Sequence, residues 1–369
     1  MALHAGVSRS TVSNVANGLS QKVSPDTFQR VAESIRLFNY RPNPVARQLR
    51  SGNVRAPMVG LLVPSIATPL YASLARALDE AARQRGFSLL LRNTNGDPAT
   101  EQGLLDEFIT EGVRSVVLAA STAEESFLQS AIDRGLCMVS FDRLVTEQGL
   151  RLDTVSVDNF HAAQTATQHL LDNGHTAIAY ATQPIVARPR NTLTRRDRCE
   201  GYLAAMKQAG QKDNVVVLEL PAAGKHPDTA LTVPGHQIAL RLLGRKNRPT
   251  AIVAMNDMVA FALMAGLHGL GVHVPDDISV VGIDGLPLGA LVSPPLTSMH
   301  QPLTAMTDAI LDRAQARLTN PRLPGTQQLF KAELVTRASV KDRAATSADK
   351  LIPAVVAATA TRLGDDEKA

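Results

Sequence analysis

Short apolar runs alternate with helix-patterned segments from Pro57 to about residue 340. The helical spacing is illustrated by the series Leu70, Leu74, Leu78 and Ala81. The apolar runs of the first half are Met58 to Val63, Phe87 to Leu91, Ser115 to Ala119 and Cys137 to Phe141, and a second series lies near Val155, Ile178, Val215, Ile252 and Val280. Strands that alternate with helices form parallel sheets with helices on both faces. About 280 residues exceed what one such sheet usually takes. The pattern therefore predicts an α/β fold of two lobes, each a doubly wound parallel sheet, with a cleft between them.

The regular pattern thins near Leu318, and one last strand is predicted from Leu329 to Val335. Beyond it, the segment 341–369 is predicted to be a tail. From Ala344 it is rich in Ala and Thr and lacks leucine heptads, so we expect it to be mostly disordered rather than a coiled coil.

Polar residues stand directly after several of the predicted strands. Ligands of doubly wound folds bind at the carboxyl ends of the strands, which makes such residues site candidates. They are Phe141-Asp142-Arg143, Asn256-Asp257 and Ile283-Asp284-Gly285, together with Arg198, which opens a helix. Acids, amides and arginines can each bridge two neighbouring hydroxyls, so the predicted ligand is a sugar or polyol. An Asp after a strand is also often a helix cap, and for Asp257 both interpretations stay open.

Residues 5–17 carry the pattern of a short helix with one apolar and one polar face. Gly6 suits a tight turn, and Ser8 can cap the helix that follows. The apolar face holds Val12, Val15 and Ala16, and the polar face holds Ser10, Asn14 and Asn17 with Arg9 and Ser13 beside them. Short side chains that donate and accept hydrogen bonds suit a helix in the DNA major groove. An ordinary capped amphipathic helix is the alternative.

A further helix is predicted to complete a helix-turn-helix domain over residues 1–42. Its start is indicated by Ser24-Pro25-Asp26. Its apolar stripe, Phe28, Val31, Ile35 and Phe38, can close a three-helix core with Val7, Val12 and Val15. Only about one helical turn precedes Gly6, and isolated helices that short are unstable. Either packing stabilises that turn, or the true start of the chain lies upstream.

A second short helix is predicted in the linker 43–56. Asn43 can cap it, Pro44 suits its first position, and it ends near Arg50. It is shorter than the roughly 12–15 residues that an isolated helix needs, so we expect it to fold only when bound. Leu49, which follows Arg47 and Gln48, suits an apolar wedge in a minor-groove step, with the neighbouring cations on phosphates. A plain basic linker is the alternative.

The charge distribution separates the N-terminal segment from the body. The chain of 369 residues has a net charge of +4, but residues 1–55 carry +6 and the rest carries −2. A basic head on a mildly acidic body is what phosphate binding by one small domain requires. There is no apolar run of membrane length and no secretory signal pattern, so the cytoplasm is the expected location.

The sequence offers little support for catalysis or for a bound cofactor. Gly266, Gly269 and Gly271 do not follow a strand in the dinucleotide-binding order. The histidines at 161, 169, 175, 226 and 236 lack metal-ligand spacing, and no metal or cofactor is predicted. Cys137 and Cys199 are expected to be buried thiols.

Several of these motifs together resemble the LacI/GalR family of bacterial transcription regulators. The shared motifs are Ala5-Gly6-Val7-Ser8 with Thr11-Val12-Ser13, Tyr40-Arg41-Pro42-Asn43, Ala46-Arg47 with Leu49, Asp142-Arg143, Val157-Asp158-Asn159, Gly174-His175, Asn256-Asp257 and Pro294-Pro295-Leu296-Thr297. They stand in the family's order over residues 1 to about 340. The resemblance implies a periplasmic-binding-protein-like type I body over residues 57–340, a homodimer that binds a pseudo-palindromic operator, and an effector that changes DNA affinity.

The resemblance also implies roles for individual residues. Arg9, Ser10 and Asn14 would read bases, and Leu49 would be the intercalating hinge leucine. The full expected DNA-binding set is Ser8, Arg9, Ser10, Thr11, Ser13, Asn14, Asn17, Val45, Ala46, Arg47 and Leu49. The expected effector-binding set is Tyr71, Phe141, Asp142, Arg143, Thr194, Arg198, Asn256, Asp257 and Asp284, which favours a pentose, hexose or polyol.

The chain departs from the family's pattern in three places. The first helix is reduced to Met1-Ala2-Leu3. The stretch from Ser65 to Tyr71 has Ser and Thr in place of an Asp and an Asn, and Leu70 in place of an aromatic residue. The chain has no Trp, so stacking on a sugar would fall to Tyr71, Phe141 or another Phe. A sugar-binding protein without DNA-binding function is the rival interpretation, although it would not need the basic head.

Overall fold

The structure, a computed structural model, describes residues 2–8, 11, 12, 15, 23–37, 57–121, 123–142, 150–183, 193–220 and 235–343. The predicted linker 43–56 and the tail from Ala344 lie outside these residues. The described elements of the N-terminal segment are helices α1 (Ala2–Ala5) and α2 (Pro25–Leu37), and Thr11, Val12 and Val15 are also helical.

A small apolar core joins these N-terminal helices. Val12, Val15 and Val31 are buried in it, as the apolar stripes predict. Phe28 is 37% exposed, so its predicted place in the core is wrong. Ser34 on the same helix is fully buried, and its Oγ lies 2.9 Å from Nδ1 of His4.

The body contains twelve strands and eight further helices among the described residues. In chain order they are β1 (Met58–Val63), α3 (Pro69–Gln84), β2 (Ser88–Asn93), α4 (Pro98–Glu111), β3 (Ser115–Ala119), α5 (Glu125–Asp133), β4 (Cys137–Phe141), β5 (Asp153–Val157), α6 (Asn159–Asp172), β6 (Ile178–Thr182), α7 (Leu193–Gln208), β7 (Val216–Glu219), α8 (Gly235–Leu243), β8 (Ala251–Ala254), α9 (Asp257–Gly269), β9 (Ser279–Asp284), β10 (Thr297–His300), α10 (Leu303–Thr319), β11 (Gln327–Phe330) and β12 (Glu333–Val335).

The strands form two six-stranded sheets, which confirms the predicted α/β fold. The sheet of lobe 1 has the order β2-β1-β3-β4-β5-β11 and is parallel throughout. The sheet of lobe 2 has the order β7-β6-β8-β9-β10-β12, with only β12 antiparallel to its neighbour. The central strands of both sheets are buried, as expected of strands covered by helices on both faces.

Two details of the predicted strand pattern are wrong. The strand at Val155 belongs to the first sheet, where it pairs with β4, rather than to the second series. The single strand predicted from Leu329 to Val335 is two strands, β11 in lobe 1 and β12 in lobe 2. Apolar periodicity shows that a segment is extended, but it carries no information on which sheet the segment joins.

The chain crosses between the lobes three times. It passes from β5 to α6, from β10 to α10, which packs on α3 and on β3 to β5, and from β11 to β12. The first and third crossings are hydrogen-bonded, since the Asp158 amide donates to the Phe330 carbonyl over 2.8 Å. The residues at these crossings therefore belong to the segments that join the two lobes, beside the cleft.

Two simpler expectations concern cysteines and membrane spans. Cys137 and Cys199 are buried free thiols, as predicted. Within the described ranges, no helix is both long and apolar enough to cross a membrane.

Candidate functional site

The candidate site lies where the carboxyl ends of strands from both lobes meet. Asp142 directly follows β4 in lobe 1, and Asp284 ends β9 in lobe 2. Tyr71 stands in the first turn of α3, whose start is fixed by Pro69. Arg198 lies on α7 of lobe 2 and is buried. The folding of two parallel sheets thus brings together residues that are far apart in the sequence.

Arg198 is the central cation of the site. Its Nε donates to Asn159 Oδ1 over 2.7 Å, and its Nη1 donates to the carbonyl of Met255. Its Nη2 lies 3.7 Å from Asp284 Oδ1, and both side chains are nearly inaccessible to solvent. The guanidinium is therefore held by two neutral acceptors and directs its third nitrogen toward the carboxylate of Asp284.

Asp142 is held in an unusual backbone conformation with one carboxylate oxygen fixed. Its φ angle is 60°, in the left-handed region that non-glycine residues rarely adopt. Its Oδ1 accepts from Ser156 Oγ over 2.9 Å and from Asn159 Nδ2 over 3.2 Å. Backbone strain of this kind is concentrated at functional sites, where it orients a side chain. These bonds fix one face of the carboxylate.

Asp284 is buried, and its environment changes its protonation. Burial raises the pKa of Asp284 to about 8, since desolvation and the carboxylates of Asp257 and Asp142 outweigh the attraction of Arg198 and the bond from Gln301. That bond runs from Gln301 Nε2 to Oδ1 over 2.9 Å. Near neutral pH, Asp284 can therefore exchange between a carboxylate that accepts and an acid that donates.

Tyr71 brings an aromatic group of lobe 1 into the same space. Desolvation of its hydroxyl raises the pKa of Tyr71 above its ordinary value, and the carboxylates of Asp142 and Asp284 raise it further. Arg195 and Arg198 act on the same hydroxyl in the opposite direction. Charged groups of both lobes are thus close enough to the phenol to shift the pKa of Tyr71. Carboxylates, a guanidinium and an aromatic ring in one cleft can bind vicinal hydroxyls and cover a sugar face.

Asp284→Asn is expected to stabilise the protein more at high pH than at low pH. The raised pKa means that the folded state favours the neutral acid. The stabilisation from protonation is complete below the unfolded value of about 4 and is lost as pH rises through about 8. An amide mimics the neutral acid at every pH. The Tm difference between variant and wild type should therefore be several degrees larger at pH 9 than at pH 5, at about 2–4 °C per kcal/mol.

Thermal unfolding followed by circular dichroism at both pH values tests this expectation. Asp213→Asn is the matched control, because Asp213 is exposed. An equal Tm difference at pH 5 and pH 9 would contradict the raised pKa.

The structure corrects the predictions made for Asp257 and Phe141. The cap of α9 is Asn256, whose Oδ1 accepts from the Val259 amide over 2.9 Å, so the cap interpretation of Asp257 is wrong. The carboxylate of Asp257 is fully buried and accepts from the Leu286 amide and from Ser298 Oγ. It braces lobe 2 internally, and its oxygens are already used. Phe141 is completely buried in the core of β4, so it offers no ring face to a sugar.

The structure describes some of the other predicted residues but not all of them. Thr194 is the second residue of α7 and is partly exposed. Ser8 accepts from the Thr11 amide over 3.1 Å, which confirms its predicted role as a helix cap. The predicted residues Arg9, Ser10, Ser13, Asn14, Asn17, Val45, Ala46, Arg47, Leu49 and Arg143 lie outside the described residues.

Two residues of the site were missed by sequence reasoning. Gln301 is 1% exposed and bonds Asp284, but it follows β10, a four-residue strand that the apolar pattern does not predict. Asn159 contacts both Asp142 and Arg198, and no role was predicted for it. Its position directly after the cap of α6 and the strand β5 was an available signal. Over the described part of the chain, no cluster of three or more His, Cys, Asp or Glu could hold a metal ion.

Comparisons with known proteins give the same architecture. The family described as "Bacterial regulatory proteins, lacI family" matches residues 1–43, and the "Periplasmic binding protein-like domain" matches residues 167–340. The ribose operon repressor of Escherichia coli K12 is 30% identical over 338 residues, which cover 91% of this chain and 97% of that protein. The HTH-type transcriptional repressor PurR of Glaesserella parasuis is 30% identical over 346 residues, covering 91% of this chain and 96% of the relative.

A solved structure extends the likeness to the fold. The LacI family transcriptional regulator from Enterococcus faecalis V583 with bound ribose is 25% identical and has a TM-score of 0.65. The match covers 77% of this chain and 99% of that chain. The curated relatives are transcriptional repressors, in agreement with the prediction that the chain is not an enzyme. Because the likeness extends over the N-terminal helices and the two-lobed body, the chain belongs to the LacI family of bacterial regulatory proteins.

Proposed function

We propose that this protein is a repressor that binds a pseudo-palindromic operator as a homodimer and responds to a small sugar, sugar derivative or polyol in the cleft. The observation that carries the effector half is the convergence of Asp142 and Tyr71 from lobe 1 with Arg198 and Asp284 from lobe 2. A ligand that bonds to both sets changes the free energy of the interlobe arrangement. The ribose-bound regulator makes D-ribose the first probe.

The DNA half of the proposal rests on the N-terminal domain, residues 1–42, and on the linker 43–56. Ser8 accepts from the Thr11 amide as a helix cap, and the sequence predicts Arg9, Ser10 and Asn14 on or beside the polar face of that helix. Residues 1–55 carry a net charge of +6. Arg9 could form hydrogen bonds with guanine, and Asn14 could form hydrogen bonds with adenine. Such a protein acts in the cytoplasm, where the operator lies, with residues 57–340 as the effector-binding and dimerisation domain.

Exposed apolar side chains support the homodimer. Leu291 and Leu288, which follow β9 in lobe 2, are 80% and 43% exposed, and Leu37 at the end of α2 is 68% exposed. A second copy of the chain would cover such residues at an interface. Two N-terminal domains would then meet two half-sites, with the linkers side by side at the operator centre.

The test is binding of the purified protein to the DNA upstream of its own gene, measured by fluorescence anisotropy at several salt concentrations. We expect specific, salt-sensitive binding that one sugar of a pentose, hexose and polyol panel changes. The sign of that change distinguishes an inducer from a co-repressor. Sugar binding without specific DNA binding would instead favour a sugar-binding protein.

Leu49→Ala is expected to weaken operator binding by about 10- to 100-fold, because an alanine cannot stay inserted between unstacked base pairs. The loss should appear on the specific operator and be much smaller on random DNA, where no central step is opened. Leu203→Ala, a change of the same kind on the surface of lobe 2, should leave both affinities unchanged. Unchanged operator affinity for Leu49→Ala would show that the wedge role is wrong.

A further inference from the structure

Asn159 stands at the point where the chain first leaves lobe 1 for lobe 2. It is the first residue of α6 and follows β5 after a single residue, Asp158, which caps the helix. Its side chain is 3% exposed. A polar group so deeply buried must have its hydrogen bonds satisfied inside the protein.

The amide of Asn159 bonds one site residue from each lobe. Its Nδ2 donates to Asp142 Oδ1 over 3.2 Å and to the Val157 carbonyl over 3.0 Å. Its Oδ1 accepts from Arg198 Nε over 2.7 Å. A donor is thus required on the side of lobe 1 and an acceptor on the side of lobe 2. A carboxamide supplies both in one planar group, whereas an ionised carboxylate only accepts.

The backbone beside Asn159 is hydrogen-bonded to the third crossing. The Asp158 amide donates to Phe330 at the third crossing, and Ser156 Oγ supports Asp142 from the end of β5. A change in the angle between the lobes turns α6 relative to β5. Such a turn must alter the distance from Asn159 to either Asp142 or Arg198.

We infer that Asn159 is a positioning residue that ties the orientation of Asp142 and Arg198 to the first interlobe crossing, so that effector binding at these two residues restricts the lobe angle. The ligand half of this inference rests on the proposed function. The mechanical half does not, because these contacts join residues of the chain itself.

Charged groups from several elements lie near the amide, and they determine which substitution tests the inference. They are Asp142 after β4, Asp158 before α6, Asp197 and Arg198 on α7, and Asp284 on β9. Replacing the amide by a carboxylate places a second acid against Asp142. Two adjacent carboxylates bind one shared proton more readily than either does alone. The lost donor should therefore be restored when the pH is lowered.

The experiment uses the full chain with Asn159→Asp, which preserves the shape of the side chain. Gln164→Glu is the matched control, since it makes the same change on the same helix, where the amide donates to Gln208, an exposed residue. Hydrogen exchange of peptides covering residues 154–160 reports on the crossing without a ligand. Calorimetric titration with D-ribose reports on the site. Both are measured at pH 8.0 and pH 5.5, relative to wild type.

We expect protection of the crossing and D-ribose affinity to fall about tenfold or more at pH 8.0 in Asn159→Asp, and to return to within about twofold of wild type at pH 5.5. Gln164→Glu should match wild type at both pH values. Asn159→Ala, which has no group to protonate, should show the loss at both pH values.

The inference is overturned if Asn159→Asp behaves like Gln164→Glu, or if it loses protection equally at both pH values. It is also overturned if the crossing loosens while D-ribose affinity stays at the wild-type value. Should Asn159→Asp not fold at pH 8.0, wild-type protection in Asn159→Ala would overturn the inference and loss would support it. If wild type binds no D-ribose, the assigned sugar is wrong, and the exchange data still decide the role of Asn159.

Discussion

Arg198→Met is expected to reduce sugar affinity by at least about 100-fold, while operator affinity without sugar stays within about threefold of wild type. Arg198 is the only described cation within ion-pair distance of Asp284, and its nitrogens also hold Asn159 and Met255. Methionine has similar length but no donor. The site would lose the guanidinium donors and the positive charge that lies beside Asp284.

Isothermal calorimetry with the sugar found in the operator assay measures the first effect, and anisotropy with the operator measures the second. Arg196→Met is the matched control, because Arg196 lies on the same helix and is exposed, with an ion pair to Glu200 at the surface. Retained sugar binding in Arg198→Met would exclude Arg198 from the effector site. Loss of operator binding in the absence of sugar would show that the variant disrupts more than the cleft.

Asp153→Asn is expected to destabilise lobe 1 by about 3–5 kcal/mol, because it leaves a buried guanidinium without its counter-charge. Asp153 is fully buried on β5 and accepts from Arg317, from Arg313 over 2.9 Å, and from the amide and hydroxyl of Thr326 over 2.9 and 2.7 Å. Arg317 is 1% exposed and also donates to two carbonyls of the loop after α10, at Leu323 and Pro324. One carboxylate thus joins α10, this loop and β11 to β5.

The pH dependence of that loss follows from the protonation of Asp153. Burial alone would raise the pKa of Asp153, but the bonds from Arg317, Thr326 and Arg313 hold it below its ordinary value. A lowered pKa gives stability that is present above about pH 4 and is lost as the pH falls through the lower folded value. The difference between wild type and Asp153→Asn should therefore shrink below pH 4.

Urea unfolding at pH 7 and at pH 3.5 measures both effects. Asp106→Asn removes an acid whose partner, Arg134, is about half exposed, and exposed pairs of this kind contribute about 0–1 kcal/mol. A loss from Asp153→Asn no larger than that of the control would contradict the buried-pair interpretation. A loss that grows as the pH falls would reverse the sign of the argument.

The position of the site could be predicted from the sequence. Which side chains face the cleft and which are buried within a lobe could not. Asp142 and Asp284 follow strands, and parallel strands place such residues at a common edge, so their convergence could be predicted without coordinates. Asp257 also follows a strand, yet its carboxylate faces Leu286 and Ser298 in its own lobe. Phe141 precedes Asp142 by one residue, and the alternation of side chains along β4 buries its ring in the core. Position along a strand did not reveal which of these side chains is free to meet a ligand.

The sequence by itself determined the alternation of helices and strands, the existence of two α/β lobes, the capping of the helix after Ser8 and the likeness to the LacI family. Each of these depends on spacing between residues that are near one another in the chain, or on motifs in a fixed order. Only the tertiary structure decided that Leu329–Val335 divides between two sheets, that Gln301 bonds Asp284 and that Asn159 lies between Asp142 and Arg198. These contacts join residues 17 to 39 positions apart or assign a strand to a sheet. The apolar period along the chain is the same whichever partners the strands pair with.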